Sequence, residues 1–196
     1  MSTSCVLYYL GVGRLHKSEA GEFIEGKHSI VACAVHQSVA ASENDYQTHV
    51  GQIMDKGATK LKPDKRIRLT ADDNNYDLHV LAEPLGDTLL VYFAVTDTEF
   101  GKDFNIQQLL DDFKFHFRDL FERGDIESAK QKGSCHKGSQ AFLANLLAKY
   151  GTSKLKGVQA QVADVTVIMK DNVDKALENV GNLSDLEVRV RMHVCV

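Results

Sequence analysis

The sequence predicts an α/β domain followed by a helical segment, and three observations carry that prediction. Apolar runs of strand length alternate with apolar stripes at helical spacing, in the order two strands, helix, three strands, two helices. The turns at residues 72–75 and 84–87 are too short to join anything but antiparallel strands. From Leu155 onward the apolar residues fall three and four apart without a break, the spacing of a narrow seam on a long helix.

The elements follow in order. Residues 6–15 are apolar and β-rich, as in a strand buried on both faces, and 16–27, polar with Gly21 and Gly26, is expected to be a loop. Residues 28–36 form the second expected strand. A helix capped by Ser42 or Asn44 then places Tyr46, Val50, Ile53 and Met54 on one face. Gly57 weakens it and Pro63 ends any continuation. Residues 66–70 and 76–83 alternate around an Asp72-Asp73-Asn74-Asn75 turn, and 88–96 is an apolar strand, so this part is an antiparallel meander. In 104–123, Ile106, Leu109, Leu110, Phe113, Phe117, Leu120 and Phe121 trace a broad stripe that Gly124 closes. Residues 126–137 form a polar linker. A last helix, 139–150, carries Phe142, Leu143, Leu146 and Leu147 on one face and stops at Gly151.

Composition narrows the function classes. With 196 residues, 43% hydrophobic and 26% charged, the chain suits one folded domain plus an appendage. A net charge of -4 gives no reason to expect a nucleic-acid partner. Cys5, Cys33, Cys135 and Cys195 lie far apart without ligand spacing, so neither a disulfide framework nor a metal site is expected, and a reducing, cytosolic compartment is. The apolar run 89–95 is far shorter than the roughly 20 residues of a spanning helix. Cys195 is one place from the end, not three, so no prenylation box is present and no anchor of the chain's own is expected.

The seam consists of Leu155, Val158, Val162, Val165, Met169, Asn172, Ala176, Asn179, Leu183, Leu186 and Val190. A 3.5-residue repeat keeps one side facing a partner helix and imposes a left-handed supercoil. The intervening Gln161, Asp164, Lys170, Asp171, Asp174, Lys175 and Glu178 are polar. Asn172 and Asn179 within the seam cost stability but fix register and partner number. On pattern alone, the seam serves equally well as a surface helix packed on its own domain.

The residues themselves carry more. Val158-Gln159-Ala160-Gln161-Val162, Val165, Ile168-Met169 and Asn172-Val173-Asp174-Lys175-Ala176-Leu177-Glu178 resemble the first half of the R-SNARE motif of synaptobrevin/VAMP proteins, over residues 154–187. Thr96-Asp97-Thr98-Glu99-Phe100 and the Phe-rich helix behind it resemble a longin domain, the N-terminal module of several R-SNAREs. The resemblance implies a longin (profilin-like) fold over 1–151: a five-stranded antiparallel sheet with one helix on one face and two on the other. A partial, helical R-SNARE-like segment follows over 152–196. It also implies a non-enzymatic vesicle-trafficking SNARE or SNARE regulator on the cytosolic face of endomembranes, its seam packing with Q-SNARE helices or back on the longin domain. Sorting adaptors are further implied partners. A longin-fold adaptor or tether subunit with a structural tail is the alternative.

Two departures stand out against that family. The central layer, where the family places arginine, falls at Asn179, a neutral side chain without the five-donor guanidinium fork. The match also fades after Glu187, so either the native chain continues further or this is a divergent soluble form, and the second option would make it a regulator rather than a fusogen. No catalytic set, cofactor or metal is expected. Gly11-Val12-Gly13 lacks the rest of a nucleotide-binding fingerprint, and Cys135-His136 are neighbours that cannot readily face each other. His28, His36, His49, His79 and His116 are scattered with no i, i+4 pair, Asp72-Asp73 and Asp111-Asp112 suit a turn and a solvated helix face, and Lys130, Lys132 and Lys137 suit a solvated linker.

Overall fold

The computed structural model describes residues 6–17, 23–57, 61, 63–71, 76–98, 105–129, 131–151 and 165–169. Its order is β1 (Leu7–Lys17), β2 (Phe23–Val35), a 3-10 turn (Gln37–Ser42), α1 (Glu43–Gly57), β3 (Arg66–Ala71), β4 (Tyr76–Leu85) and β5 (Thr88–Asp97). Then come α2 (Asn105–Leu120), α3 (Arg123–Ser128), α4 (His136–Tyr150) and β6 (Val165–Met169). The sheet runs β2-β1-β5-β4-β3-β6; its first five strands are antiparallel, and β6 joins β3 in parallel.

The central strand explains the layering. Because side chains alternate across a strand, β5 sends Leu89, Val91, Phe93 and Val95 to one face and Leu90, Tyr92 and Ala94 to the other. Both sets are buried, which is why this strand is apolar without interruption. On the first face α1 lays down Tyr46, Val50, Ile53 and Met54, the face predicted from spacing. On the second, α2 contributes Leu109, Leu110, Phe113 and Phe117, and α4 contributes Leu143, Leu146 and Leu147. Tyr92 meets Phe113 and Phe117 edge-on, with ring centroids 5.4 and 6.1 Å apart.

Close approach accounts for one glycine of the Gly11-Val12-Gly13 run. A Cβ at Gly13 would lie 2.2 Å from Met54 Sδ, so α1 reaches β1 only because no side chain stands there. The run is strand backbone inside β1. At the tight β4–β5 turn, Gly86 takes φ 55°, the left-handed region that glycine enters freely.

Three sequence expectations need correction. The polar stretch 16–27 is not simply a loop: β1 runs through Lys17 and β2 starts at Phe23, with Lys17 paired to Phe23. Main-chain pairing extends this hairpin with no apolar pattern to announce it. The Phe-rich helix ends at Leu120, and Gly124 lies inside α3, because Glu122 turns extended (φ −66°, ψ 156°) and starts a new helix. The segment 126–137 is no free linker. Ile126, Ala129 and Cys135 are buried, Gly133 and Cys135 donate their N–H groups to the carbonyls of Ile30 and Val31, and α4 starts at His136.

One buried cation ties this segment down. Arg14 on β1 is 2% exposed, and its Nη1 donates at 2.7 Å to the carbonyls of both Ile126 and Ala129, while Nη2 lies 2.8 Å from His16 Nδ1. The guanidinium thereby satisfies the C-terminal carbonyls of α3, which has few turns of its own to hold it. On the opposite flank, Val6 N–H donates to Gly151 O at 3.0 Å, joining the end of α4 to the start of β1.

Candidate functional site

The candidate site is the β3 edge of the sheet, where residues 165–169 are found. β6 pairs with β3 in parallel, Arg66 opposite Val165, Ile67 opposite Thr166, Arg68 opposite Val167, Leu69 opposite Ile168 and Thr70 opposite Met169. The helix expected over the seam is corrected here: Val165 and Met169 lie in a strand. Two physical reasons favour it. Four of its five residues, Val165, Thr166, Val167 and Ile168, are β-branched, and an edge strand offers unpaired main-chain groups that an added strand satisfies. Leu155, Val158, Val162, Asn172, Ala176, Asn179, Leu183, Leu186 and Val190 lie outside the described residues.

The two sides of this edge differ in character. Toward α1, Ile67 and Leu69 are buried beside Leu61, and an aromatic row follows. Tyr46 sits 5.9 Å from Tyr9 and edge-on to Tyr76 at 5.5 Å, and stacks at 6.5 Å with Tyr8. The Tyr76 hydroxyl bonds His49 Nδ1, and burial pushes its pKa up to about 12. Toward α2 the edge is polar and fully engaged. Arg66 donates to Gln107 O at 3.0 Å and to Asp111 Oδ1 at 2.6 Å, which fastens β3 to α2. Arg68 grips the wholly buried Asp77 through Nε at 2.9 Å and through Nη2.

His79 completes that polar side. It is 4% exposed, its Nε2 lies 3.1 Å from Thr96 Oγ1, and Thr96 Oγ1 in turn donates to Asp97 O at 3.0 Å. Burial, helped by the Arg68 charge, lowers its pKa to about 3, so the imidazole is neutral in the fold. The arrangement fixes the strands that carry the edge. The Thr96 hydroxyl and the His79 imidazole that it brings together are both buried.

Other chemistry-bearing residues resolve into structure. Burial raises the Cys33 and Cys135 thiols, which disfavours the reactive thiolate. His136 contacts Gln140 rather than Cys135. Asp112, on the predicted solvated face, accepts from Lys149 Nζ at 2.7 Å and Tyr150 Oη at 2.6 Å, linking α2 to α4. Among the described residues no group of three His, Cys, Asp or Glu side chains is placed to hold a metal, and no helix is long and apolar enough to cross a membrane. The residues sequence reasoning missed are the edge partners: Arg66, Arg68, Asp77 and His79 sit in alternating strands whose pattern marks them only as polar positions.

No protein-family model matches the chain, and no curated protein matches it.

Proposed function

We propose that the chain is a longin-type membrane-trafficking protein, a SNARE or SNARE regulator, whose SNARE-like segment is held back on its own domain. The observation that carries this reading is the pairing of Val165–Met169 with β3, inside the segment that resembles an R-SNARE motif. The five antiparallel strands in the order β2-β1-β5-β4-β3, with α1 on one face and α2 and α4 on the other, fit a longin fold.

A seam and an edge strand compete for the same residues. Val165 and Met169 can sit in a helical layer against Q-SNARE helices or in a strand on β3, never both at once. Pairing with β3 therefore withholds the segment from its partners, and partner helices must displace it to assemble. Asn179 in place of the family's arginine favours a regulator over a fusogen. The working place is the cytosolic face of endomembranes, with sorting adaptors as further partners. The same strand pairing also suits an adaptor or tether subunit whose tail is a permanent sixth strand, and this is the second reading.

Assembly kinetics separate the two. A peptide of residues 155–190 should assemble with Q-SNARE helices faster than the full chain does, because strand release precedes assembly in the full chain. Failure of both peptide and chain to assemble would leave the adaptor reading.

A further inference from the structure

We propose that the outer edge of β6 is a self-association surface, on which a second copy of this chain pairs its own β6 antiparallel about a two-fold axis at Val167. The inference rests on the strand Val165–Met169 and not on the trafficking reading of the segment around it.

The position of β6 supplies the edge. It closes the sheet at the end opposite β2, and among the described residues no strand lies beyond it. β3 pairs with it along its whole length, from Arg66 opposite Val165 to Thr70 opposite Met169. That pairing uses one side of β6, and the main-chain groups directed to the other side are a template for a further strand. Natural sheets guard such an edge with a charge, a proline or a bulge. Val165-Thr166-Val167-Ile168-Met169 has no charge, proline or glycine, and its pairing with β3 shows no register shift. The other end of the sheet is partly covered, because Gly133 and Cys135 donate to the carbonyls of Ile30 and Val31 on β2.

Charge selects the occupant. In the sequence the uncharged run lies between Asp164 and Lys170. A two-fold axis at Val167 sets Val165 opposite Met169 of the second copy, Thr166 opposite Ile168 and Asp164 opposite Lys170. Opposite charges then meet at both ends of the pairing, so the segment is complementary to itself. A slip by one place sets Asp164 against Met169 or Asp171 instead, so charge also fixes the register. In the proposed register Asp171 falls opposite Ala163, outside the charged pairs. The contact uses the same patch on both copies, and each chain brings one β6 edge, so it closes as a dimer rather than growing into a fibre.

The test is sedimentation equilibrium of the full chain, of Asp164→Lys, of Lys170→Asp, and of the two variants mixed one to one. The parent should dimerise reversibly with concentration. Each variant alone should raise the dissociation constant about tenfold, since two attractive pairs become two repulsive ones. The mixture should form a heterodimer within about threefold of the parent's affinity, because opposite charges again meet at both ends. Continuing the β3 register by one place sets Lys65 beside position 164, in the mixture as in Asp164→Lys alone, so a loss that came from Lys65 would persist on mixing. The same register sets Ala71 beside position 170, so Lys170→Asp keeps the comparison decisive if Asp164→Lys disturbs the strand. Exchange protection of Arg66–Ala71 reports that each variant keeps β6 on β3. A parent chain that stays monomeric at millimolar concentration would overturn the proposal. So would a Lys170→Asp variant that dimerises as tightly as the parent, or a mixture no tighter than its components while both keep that protection.

Discussion

Replacing Arg14 with methionine tests whether the buried guanidinium is what holds the α3 segment to the sheet. Methionine keeps the length and apolar volume of the stem but removes every donor. The Ile126 carbonyl would retain the Ala129 N–H at 3.2 Å, whereas the Ala129 carbonyl would lose its Arg14 partner at a site where Ala129 is 4% exposed. A stranded buried acceptor costs about 1–3 kcal/mol, and the lost charge-assisted bond to Ile126 adds about 1.5–3. Burial lowers the Arg14 pKa, which records that the charge is poorly solvated, so removing it returns part of that sum. The net expectation is a loss of about 2–3 kcal/mol, or a fall in Tm of about 4–12 °C for a chain of this size. Arg14→Lys, with charge but no fork, should fall between the two. The assay is thermal unfolding followed by circular dichroism, paired with amide exchange over Arg123–Ser128, which should lose protection first. A Met variant within about 1 °C of the parent, with α3 still protected, would refute the anchoring role.

Three further outcomes follow, one from the geometry around His79 and two from the proposed function. His79 has a pKa near 3 in the fold against 6.5 when free, so below pH 6.5 the unfolded chain binds a proton that the folded chain does not. Stability should therefore be full above pH 6.5 and fall as pH drops toward 3, by about 2–3 kcal/mol at pH 4.5, and urea titrations of His79→Asn should show a flatter profile. For the seam, Val165→Asp should abolish assembly with Q-SNARE helices by placing an unpaired charge in an apolar layer, whereas Asp164→Lys should change it little; equal losses would mean a wrong register. Asn179→Arg should raise the melting temperature of the four-helix complex, since charge-assisted bonds to glutamines are worth about 1.5–3 kcal/mol each against about 1 for neutral amides. An unchanged melting temperature would move the central layer away from Asn179.

How far the sequence foretold this structure depends on where the signal resides. Apolar periodicity exposed α1 through Tyr46, Val50, Ile53 and Met54, and the central strand through Leu89 to Val95, because burial on a fixed period leaves its mark on every residue. The hairpin extension that pairs Lys17 with Phe23 is carried by the main chain, and one such pair sets no periodicity. α3 escaped because Ile126 is its one buried residue, and the device that holds it, Arg14, lies 112 positions away. At Val165–Met169 two patterns coincide: apolar residues at heptad spacing, and a nearly unbroken β-branched run. Four consecutive β-branched residues decide between them in favour of the strand. The polar partners of the β3 edge, Asp77 and His79, were invisible for another reason: their burial depends on Arg68 and Thr96 in neighbouring strands.

The central claim is that the SNARE-like segment is withheld by pairing with β3 and surrendered to partner helices. Hydrogen exchange read along Arg66–Ala71 and Val165–Met169, with and without added Q-SNARE helices, measures that directly. The account predicts that both strands are protected in the chain alone. On adding the helices, amides of β3 that face β6 should exchange faster as their partner leaves, while residues 165–169 stay protected in the new bundle. Protection of β3 and β6 that does not change, at helix concentrations that saturate the 155–190 peptide, would contradict it and leave β6 as a permanent sixth strand.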